Sequence, residues 1–406
     1  MLADRTRLIA ASGTAKARAA AKAAGICGQA TIDLTAGEIW SDLAPTIREG
    51  ALDAVRSGLS RYSDTIGSLD LRLELARKVS QDTGQTYGCE EIAVTTGAKQ
   101  ALFNAAMVLL NPGDEVIIPA PYWSTFPAQA LLAGARPVHV DTKPAGFVAR
   151  AREIEAAITD ATRAIVVNTP NNPTGAVYDS ATLSAIADLA LRRDLWIIFD
   201  ECYGTFVHNG LTHHSIVALA PEMRSRTVIV NGFSKSLALT GWRIGYLAAP
   251  KAVVAAVAAL QSHTTSNPNV IAQQAVLHHL IHDDGSFETQ LQERLKATRE
   301  IGLEELARLT RIAPPRADGG FYFYLDLAPL LGRTNGTISS QMARAAVDGL
   351  LARAGVAAVT GHAFGDPTGL RLSYGVDAHL VKEGCARLVT QIERFEEVSI
   401  SEATNS

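Results

Sequence analysis

A mostly parallel α/β sheet covered by helices on both faces, followed by a smaller α+β unit, is the architecture this sequence predicts, and three observations predict it. The chain has 406 residues, more than one hydrophobic core usually holds, and enough apolar residues to fill two. Between about residues 47 and 280, helical patterns alternate with short β-branched runs that are apolar on both faces. Beyond residue 280 that alternation stops.

The strand runs are residues 92–95, 115–118, 163–167, 195–199 and 227–230, and each is followed by polar or Gly-rich residues. In sheets of this kind, ligands bind beyond the carboxyl ends of the strands, so those followers are where a site is expected. A charged helical stretch over residues 286–309 comes next, broken by Pro314 and Pro315. The second unit then holds a strand over 320–326, a helix around 338–354, a short strand near Val356 and another at 370–373. These signals predict an N-terminal segment, 1–46, folding back on a small C-terminal domain, 291–406, with a large domain, 47–290, between them. No internal repeat or low-complexity tract is visible.

Bulk properties narrow the function classes. The net charge of −4 is small for the length, and no basic block or basic-aromatic stripe marks a nucleic-acid surface. Cys27, Cys89, Cys202 and Cys385 lack paired or metal-like spacing and read as free thiols of a reducing compartment, with no metal site. Asp4, Arg5 and Arg7 precede any apolar run, so a secretory signal is not expected. The Ala-rich residues 14–24 read as a helix. The apolar stretches fall short of the ~20 residues a membrane span needs, and a soluble cytoplasmic protein is the expectation.

The chemistry concentrates at the strand ends. Lys235 follows the run Thr-Val-Ile-Val-Asn-Gly-Phe-Ser, with Arg243 close behind in Thr-Gly-Trp-Arg, a placement suited to holding a phosphorylated aldehyde cofactor covalently. Asp200 ends a strand expected to be central, and a buried carboxylate needs a partner; a protonated pyridine nitrogen would be one, and capping of the next turn is the plainer reading. Tyr203 is placed to reach the same ring's phenolic oxygen, or to pack. The string Asn-Thr-Pro-Asn-Asn-Pro-Thr-Gly over 168–175 is a rigid turn, which makes Asn172 a candidate for that oxygen and for a substrate carboxylate. The turn Thr-Thr-Gly-Ala-Lys-Gln over 95–100 opens a helix, so the amides of Gly97, Ala98 and Lys99 are expected to point outward as an anion site, helped by Arg243 and Ser234. Trp123 is a candidate to stack on the ring, although taken alone it reads as core.

Together these strings resemble the fold-type-I pyridoxal-phosphate aminotransferases, and within them the aspartate aminotransferase-like class I group: Tyr122-Trp123, the Asn-Asn-Pro-Thr-Gly run at 171–175, Asp200-Glu-x-Tyr203, Ser234-Lys235, the Thr-Gly-Trp-Arg-Ile-Gly run at 240–245, and Arg371-Leu-Ser-Tyr374. The resemblance covers nearly the whole chain and implies a seven-stranded sheet. It implies that Lys235 binds pyridoxal 5'-phosphate covalently and then moves the Cα proton, that Asp200 pairs with the pyridine nitrogen, and that Tyr203 and Asn172 serve the ring oxygen. It also implies that Trp123 stacks on the ring and also lines the substrate site, that Gly97, Ala98, Lys99, Ser234 and Arg243 hold the phosphate, and that Arg371 clamps the substrate α-carboxylate beside Gly37 and Asn172. Tyr62 looks like the tyrosine that reaches the neighbouring subunit's phosphate, which implies a homodimer with shared active sites.

The implied reaction is ping-pong transfer of an amino group between an L-amino acid, aspartate or glutamate by group, and a 2-oxo acid. Two departures bear on it. Ile39-Trp40-Ser41-Asp42 replaces the common Pro-Asp-Phe continuation, and Gly232 stands where a serine is often found. Aromatic or neutral amino acids are therefore an alternative, as is a pyridoxal-phosphate lyase, synthase or oxidase on the same fold. A cofactor-sensing regulator of the winged-helix type would need an added N-terminal module, which is not expected because the pattern begins by residue 37.

Overall fold

The computed structural model describes residues 2–9, 13–26, 31–331 and 340–395. Seven strands form the main sheet: β1 (Ile92–Thr95), β2 (Glu115–Ala120), β3 (Arg136–Asp141), β4 (Thr162–Asn168), β5 (Trp196–Asp200), β6 (Thr227–Gly232) and β7 (Gly245–Ala248). Their spatial order is β1-β7-β6-β5-β4-β2-β3, with β5 at the centre. All neighbouring pairs are parallel except those of β7, which runs antiparallel to both β1 and β6.

Alternation along the strands explains the two covered faces. Ile117, Ile165, Val167, Ile197, Phe199 and Ile229 turn to one side and pack with helices Leu69–Thr83, Ser180–Arg192 and Val270–His282. Val116, Ile118, Val166, Ile198, Val228 and Val230 turn to the other, against helices Ala98–Leu109, Thr125–Leu132 and Lys251–Ser262. Local signals set the helix ends: the Asp179 carboxylate accepts from the Thr182 amide at 2.7 Å, Asn269 caps residues 271 and 272, and Gly84 at φ 66° closes Leu69–Thr83.

Strands β3 and β7 are not among the strand runs read from the sequence. β3 is an edge strand, partly exposed and interrupted by Pro137, and β7 is a short, fully buried segment directly after the Arg243 motif. The charged helix spans Ser286–Leu306, ending before residue 309, because the last turns unwind to bury Leu309 and Ile312 ahead of the two prolines.

A second core gathers Ile32, Leu34, Ala36 and Ile39 with the apolar residues of helices Ser286–Leu306, Ser340–Ala354 and Ala378–Glu393. Its sheet has strand Gly369–Ser373 between Val359–Thr360 and Tyr322–Asp326, all antiparallel, and Ile32–Asp33 pairs separately with Val356–Ala357. The expected helix start at 338 and Cys27 lie outside the described residues; Cys89, Cys202 and Cys385 are free thiols. His279 ties Thr46 (2.7 Å) to Glu288 (3.1 Å), joining the start of helix Pro45–Arg56 to the start of Ser286–Leu306. No helix among the described residues is long and apolar enough to cross a membrane.

Candidate active site

The parallel strands β4, β5 and β6 end at one edge of the sheet, which brings Asn168, Asp200 and the turn leading to Lys235 together. Asp200 is the last residue of β5 and 3% exposed. Its carboxylate accepts a hydrogen bond from the Cys202 amide at 3.1 Å and is also approached by the Cys202 thiol, and it has no ion-pair partner among the described residues. Burial pushes its pKa up to about 6. Lys235 sits in the short helical turn Phe233–Ser236 that follows β6, and its Nζ donates to the Gly37 carbonyl. Burial pulls the amine down to about 8, with Cys202 opposing the shift and Arg371 adding to it. An amine in that range is both a nucleophile and a base near neutral pH.

Above this pair lies a chain of hydrogen bonds. The Asn172 amide donates to Asn168 Oδ1 at 3.0 Å, fixing the turn that Gly175 completes at φ 70°. Asn172 Nδ2 donates to the Tyr203 hydroxyl at 3.3 Å, which lies 3.2 Å from the Tyr322 hydroxyl. Arg371, 1% exposed, donates from Nη1 to Asn172 Oδ1 at 2.9 Å and from Nη2 to the Thr35 carbonyl at 3.2 Å. Its guanidinium lies 4.2 Å from the Tyr322 ring centre and 5.1 Å from that of Phe364. Its Nε has no partner, and no carboxylate neutralises it among the described residues. A buried guanidinium in this state is set to receive a carboxylate.

The turn at Gly97 differs in one respect from expectation. Gly97, at φ 74°, donates its own N–H to the Thr95 carbonyl at 2.8 Å, so the tight turn consumes that amide. The helix-start amides left without a protein acceptor among the described residues are those of Ala98 and Lys99. Arg243 lies against this turn: a Cβ on Gly97 would stand 2.6 Å from its Nη2. The Ser234 hydroxyl takes no protein partner among the described residues, and the Lys99 ammonium lies 4.8 Å from the Trp123 ring centre. Burial, then the charge of Arg243, lowers the Lys99 pKa. Trp123 meets Phe126 edge-on at 5.7 Å and is only partly buried, so its indole is not lost to the core.

Gly232 and Gly245 explain how closely these parts approach. A Cβ on Gly232 would come 3.1 Å from the Gly245 Cα, and one on Gly245 would come 2.6 Å from the Ala98 nitrogen. Position 232 is therefore too tight for an easy serine. Gly245→Ala pushes the Gly97 turn outward; we expect a stability loss of about 1–3 kcal/mol and weaker binding of inorganic phosphate, measured by thermal unfolding and by titration.

Lys235 meets Gly37, and Asn172 links Tyr203 to Arg371, by direct hydrogen bonds, with the Lys235 ammonium 6.0 Å from the Tyr203 ring centre. Asp200 joins this group through Asn168, whose Nδ2 donates to the Asp200 carbonyl, and Gly97 and Arg243 lie together at the adjoining turn. Tyr62 does not join them: it is 89% exposed and makes no hydrogen bond among the described residues. Trp40 is 45% exposed and tied by its backbone to Gly375 and Arg294. Tyr322, Phe364 and the Thr35 carbonyl belong to the cluster without a motif to mark them. A run of alternating aromatic residues over 321–324 was the one signal pointing to Tyr322.

The family model for aminotransferase class I and II matches residues 29–388. A probable aspartate/prephenate aminotransferase of Aquifex aeolicus is 35% identical over 396 residues, covering 97% of this chain and 99% of that one. Among solved structures, the aspartate aminotransferase of Rhizobium meliloti superposes with a TM-score of 0.91 at 34% identity, covering 98% of this chain and 100% of that one. The Thermus thermophilus aspartate aminotransferase with maleate gives 0.88 at 35% identity, with 96% and 99% covered. Fold, strand-end lysine and full-length likeness agree: the chain belongs to the class I and II aminotransferases.

Proposed function

We propose that this chain transfers an amino group between an L-amino acid of the aspartate or glutamate type and a 2-oxo acid, with pyridoxal 5'-phosphate held covalently at Lys235. Asp200 carries the reading. A carboxylate kept at the centre of the sheet, with no ion-pair partner among the described residues, calls for a cation against it, and a protonated pyridine nitrogen would supply one. The surroundings fit the rest of the cofactor. The amides of Ala98 and Lys99, beside Gly97, with Arg243 and Ser234 make an anion site for the phosphate. Trp123 offers an aromatic face, and Asn172 and Tyr203 offer donors to a ring oxygen.

When bound, the cofactor supplies a carbonyl carbon that takes up the amino group and a cationic ring that accepts the electron pair left at Cα. Arg371 orients the substrate by its α-carboxylate, using the Nε that has no partner among the described residues. Lys235, neutral at Nζ in a useful fraction near pH 8, takes the Cα proton and returns it on the other side of the transfer. Asp200 stays ionised against the ring, and Tyr322 and Phe364 shield the Arg371 guanidinium from water.

Lys99 favours acidic substrates: its ammonium, with no carboxylate partner among the described residues, stands beside Trp123 and would welcome a second substrate carboxylate. The relatives' names, aspartate and aspartate/prephenate aminotransferase, point the same way. Exposed Trp40 is the feature that favours aromatic or neutral amino acids as the alternative. Exposed Leu52, Val55, Leu59, Leu69 and Leu73 flank Tyr62 in sequence and support a homodimer in which Tyr62 serves the partner's site. The free thiols support a cytoplasmic location, and the separate cores support a large and a small domain, with helix Ser286–Leu306 running across the proposed boundary between 47–290 and 291–406 and Ala44 of segment 1–46 packing on the large one.

The test mixes cofactor-loaded protein with single amino acids and follows the cofactor absorbance. Aspartate and glutamate should convert it fastest, and Lys99→Ala should cut kcat/KM for aspartate about 10- to 100-fold while leaving alanine nearly unchanged. Faster conversion by neutral amino acids, with Lys99→Ala silent, removes the acidic-substrate reading. Release of pyruvate and ammonia, or oxygen uptake, without amino transfer would indicate a lyase or an oxidase.

A further inference from the structure

Lys143 belongs to the large sheet's side of the molecule, in the turn Lys143–Ala145 just after β3. Its acceptors all lie on or beside the three-stranded sheet of the second core. The ammonium donates to Asp326 Oδ1 at 3.0 Å, Asp366 Oδ1 at 2.9 Å and the Thr368 hydroxyl at 2.7 Å, which uses all three of its hydrogens. Asp326 ends the strand Tyr322–Asp326, and Asp366 and Thr368 lie in the loop just before Gly369–Ser373, the strand that carries Arg371. Burial works against the charge on Lys143, yet the carboxylate of Asp366 and the bonds to Asp366 and Asp326 raise its pKa overall.

The same loop reaches the candidate active site. Tyr324, cross-strand partner of Arg371, donates its hydroxyl to Asp366 Oδ2 at 2.9 Å. The Phe364 carbonyl accepts the Tyr122 amide at 3.0 Å, its ring covers the Arg371 guanidinium, and Gly365 sits so close to Tyr122 that a Cβ there would stand 2.7 Å from the ring. The loop is thus fastened to the large sheet's side twice, at Tyr122 and at Lys143. Without Lys143, Asp326 and Asp366 would face each other as like charges, and the loop would lose one fastening.

We propose that Lys143 is a positioning residue for substrate binding, tethering the loop over residues 361–368 so that Phe364 keeps Arg371 aimed at the substrate carboxylate. The inference rests on the reading of Arg371 as that clamp. In the cofactor-loaded full chain, Lys143→Met should raise KM for both the amino acid and the 2-oxo acid about tenfold, with kcat changed less than about twofold and the bound-cofactor absorbance unaltered. Lys143→Arg should restore most of the affinity. Thr368→Val, which removes one acceptor, should reproduce the KM rise at smaller size and serves if Lys143→Met does not fold. Unchanged KM in whichever of these variants folds overturns the tether, whatever happens to Tm. Arg371→Leu separates the two ideas: a raised KM there with a silent Lys143→Met leaves the clamp standing and removes the tether, whereas an unchanged KM in Arg371→Leu removes the clamp itself.

Discussion

Lys235→Ala is expected to lower the transamination rate by at least about 10³-fold, the scale on which a positioned proton-transfer group acts, and to abolish the absorbance of covalently held cofactor. The size of the effect follows from the lack of a substitute. Burial and the neighbouring Tyr322 hold Tyr203 well above the usual phenol range, so it stays protonated. The Cys202 thiol is likewise pushed up by burial and by Asp200. Asp200 is close enough in pKa, but its carboxylate is spent on the Cys202 amide and on the cation it awaits. Of these four groups, only the Lys235 amine is both brought near neutrality and set in the turn directly after β6. Retained turnover with unchanged absorbance in Lys235→Ala would remove the mechanism proposed here.

What the sequence shows of this site follows a physical rule. Asp200, Lys235 and the Asn172 turn stand out because each ends or closely follows a buried apolar strand with a polar residue that needs a partner there. Strand β3 is silent because an exposed edge needs no apolar run, and β7 because the four residues Gly245–Ala248 are too few to show a period. The Thr35 carbonyl is invisible for a different reason: its partner, Arg371, lies 336 residues away, and a backbone oxygen has no side-chain signature. Lys143 has the same difficulty, since its acceptors are 183 to 225 residues distant and a lone lysine reads as surface. Gly97 shows the limit of motif reasoning even where the motif is right, because the turn that makes the anion site also spends one of its amides. Tyr62 lies beyond what one chain displays: its expected role needs a second copy.

Asp200→Asn separates a functional carboxylate from a structural cap. The variant keeps an oxygen for the Cys202 amide and loses only the charge. In the cofactor-free protein the folded pKa of Asp200, about 6, lies above the reference 3.8, so the folded chain binds more protons than the unfolded chain between those values. Stability from this group is therefore fully present below pH 3.8 and falls as pH rises through 6, by about 3 kcal/mol at 1.36 kcal/mol per pKa unit. Cofactor-free Asp200→Asn should lack that fall and melt above the parent at pH 7, while the two converge near pH 4. With cofactor loaded the order should reverse, because the parent then holds a buried ion pair whose rupture costs about 3–5 kcal/mol. On that scale turnover should drop about 10²- to 10³-fold. Thermal unfolding of both forms at pH 4, 5 and 7, with one turnover assay, decides it. A carboxylate that merely capped the turn at Cys202 would make the asparagine variant no more stable at pH 7 without cofactor, and turnover would survive. A crossing of the two stability orders on cofactor binding is the behaviour of a charge held for a ligand.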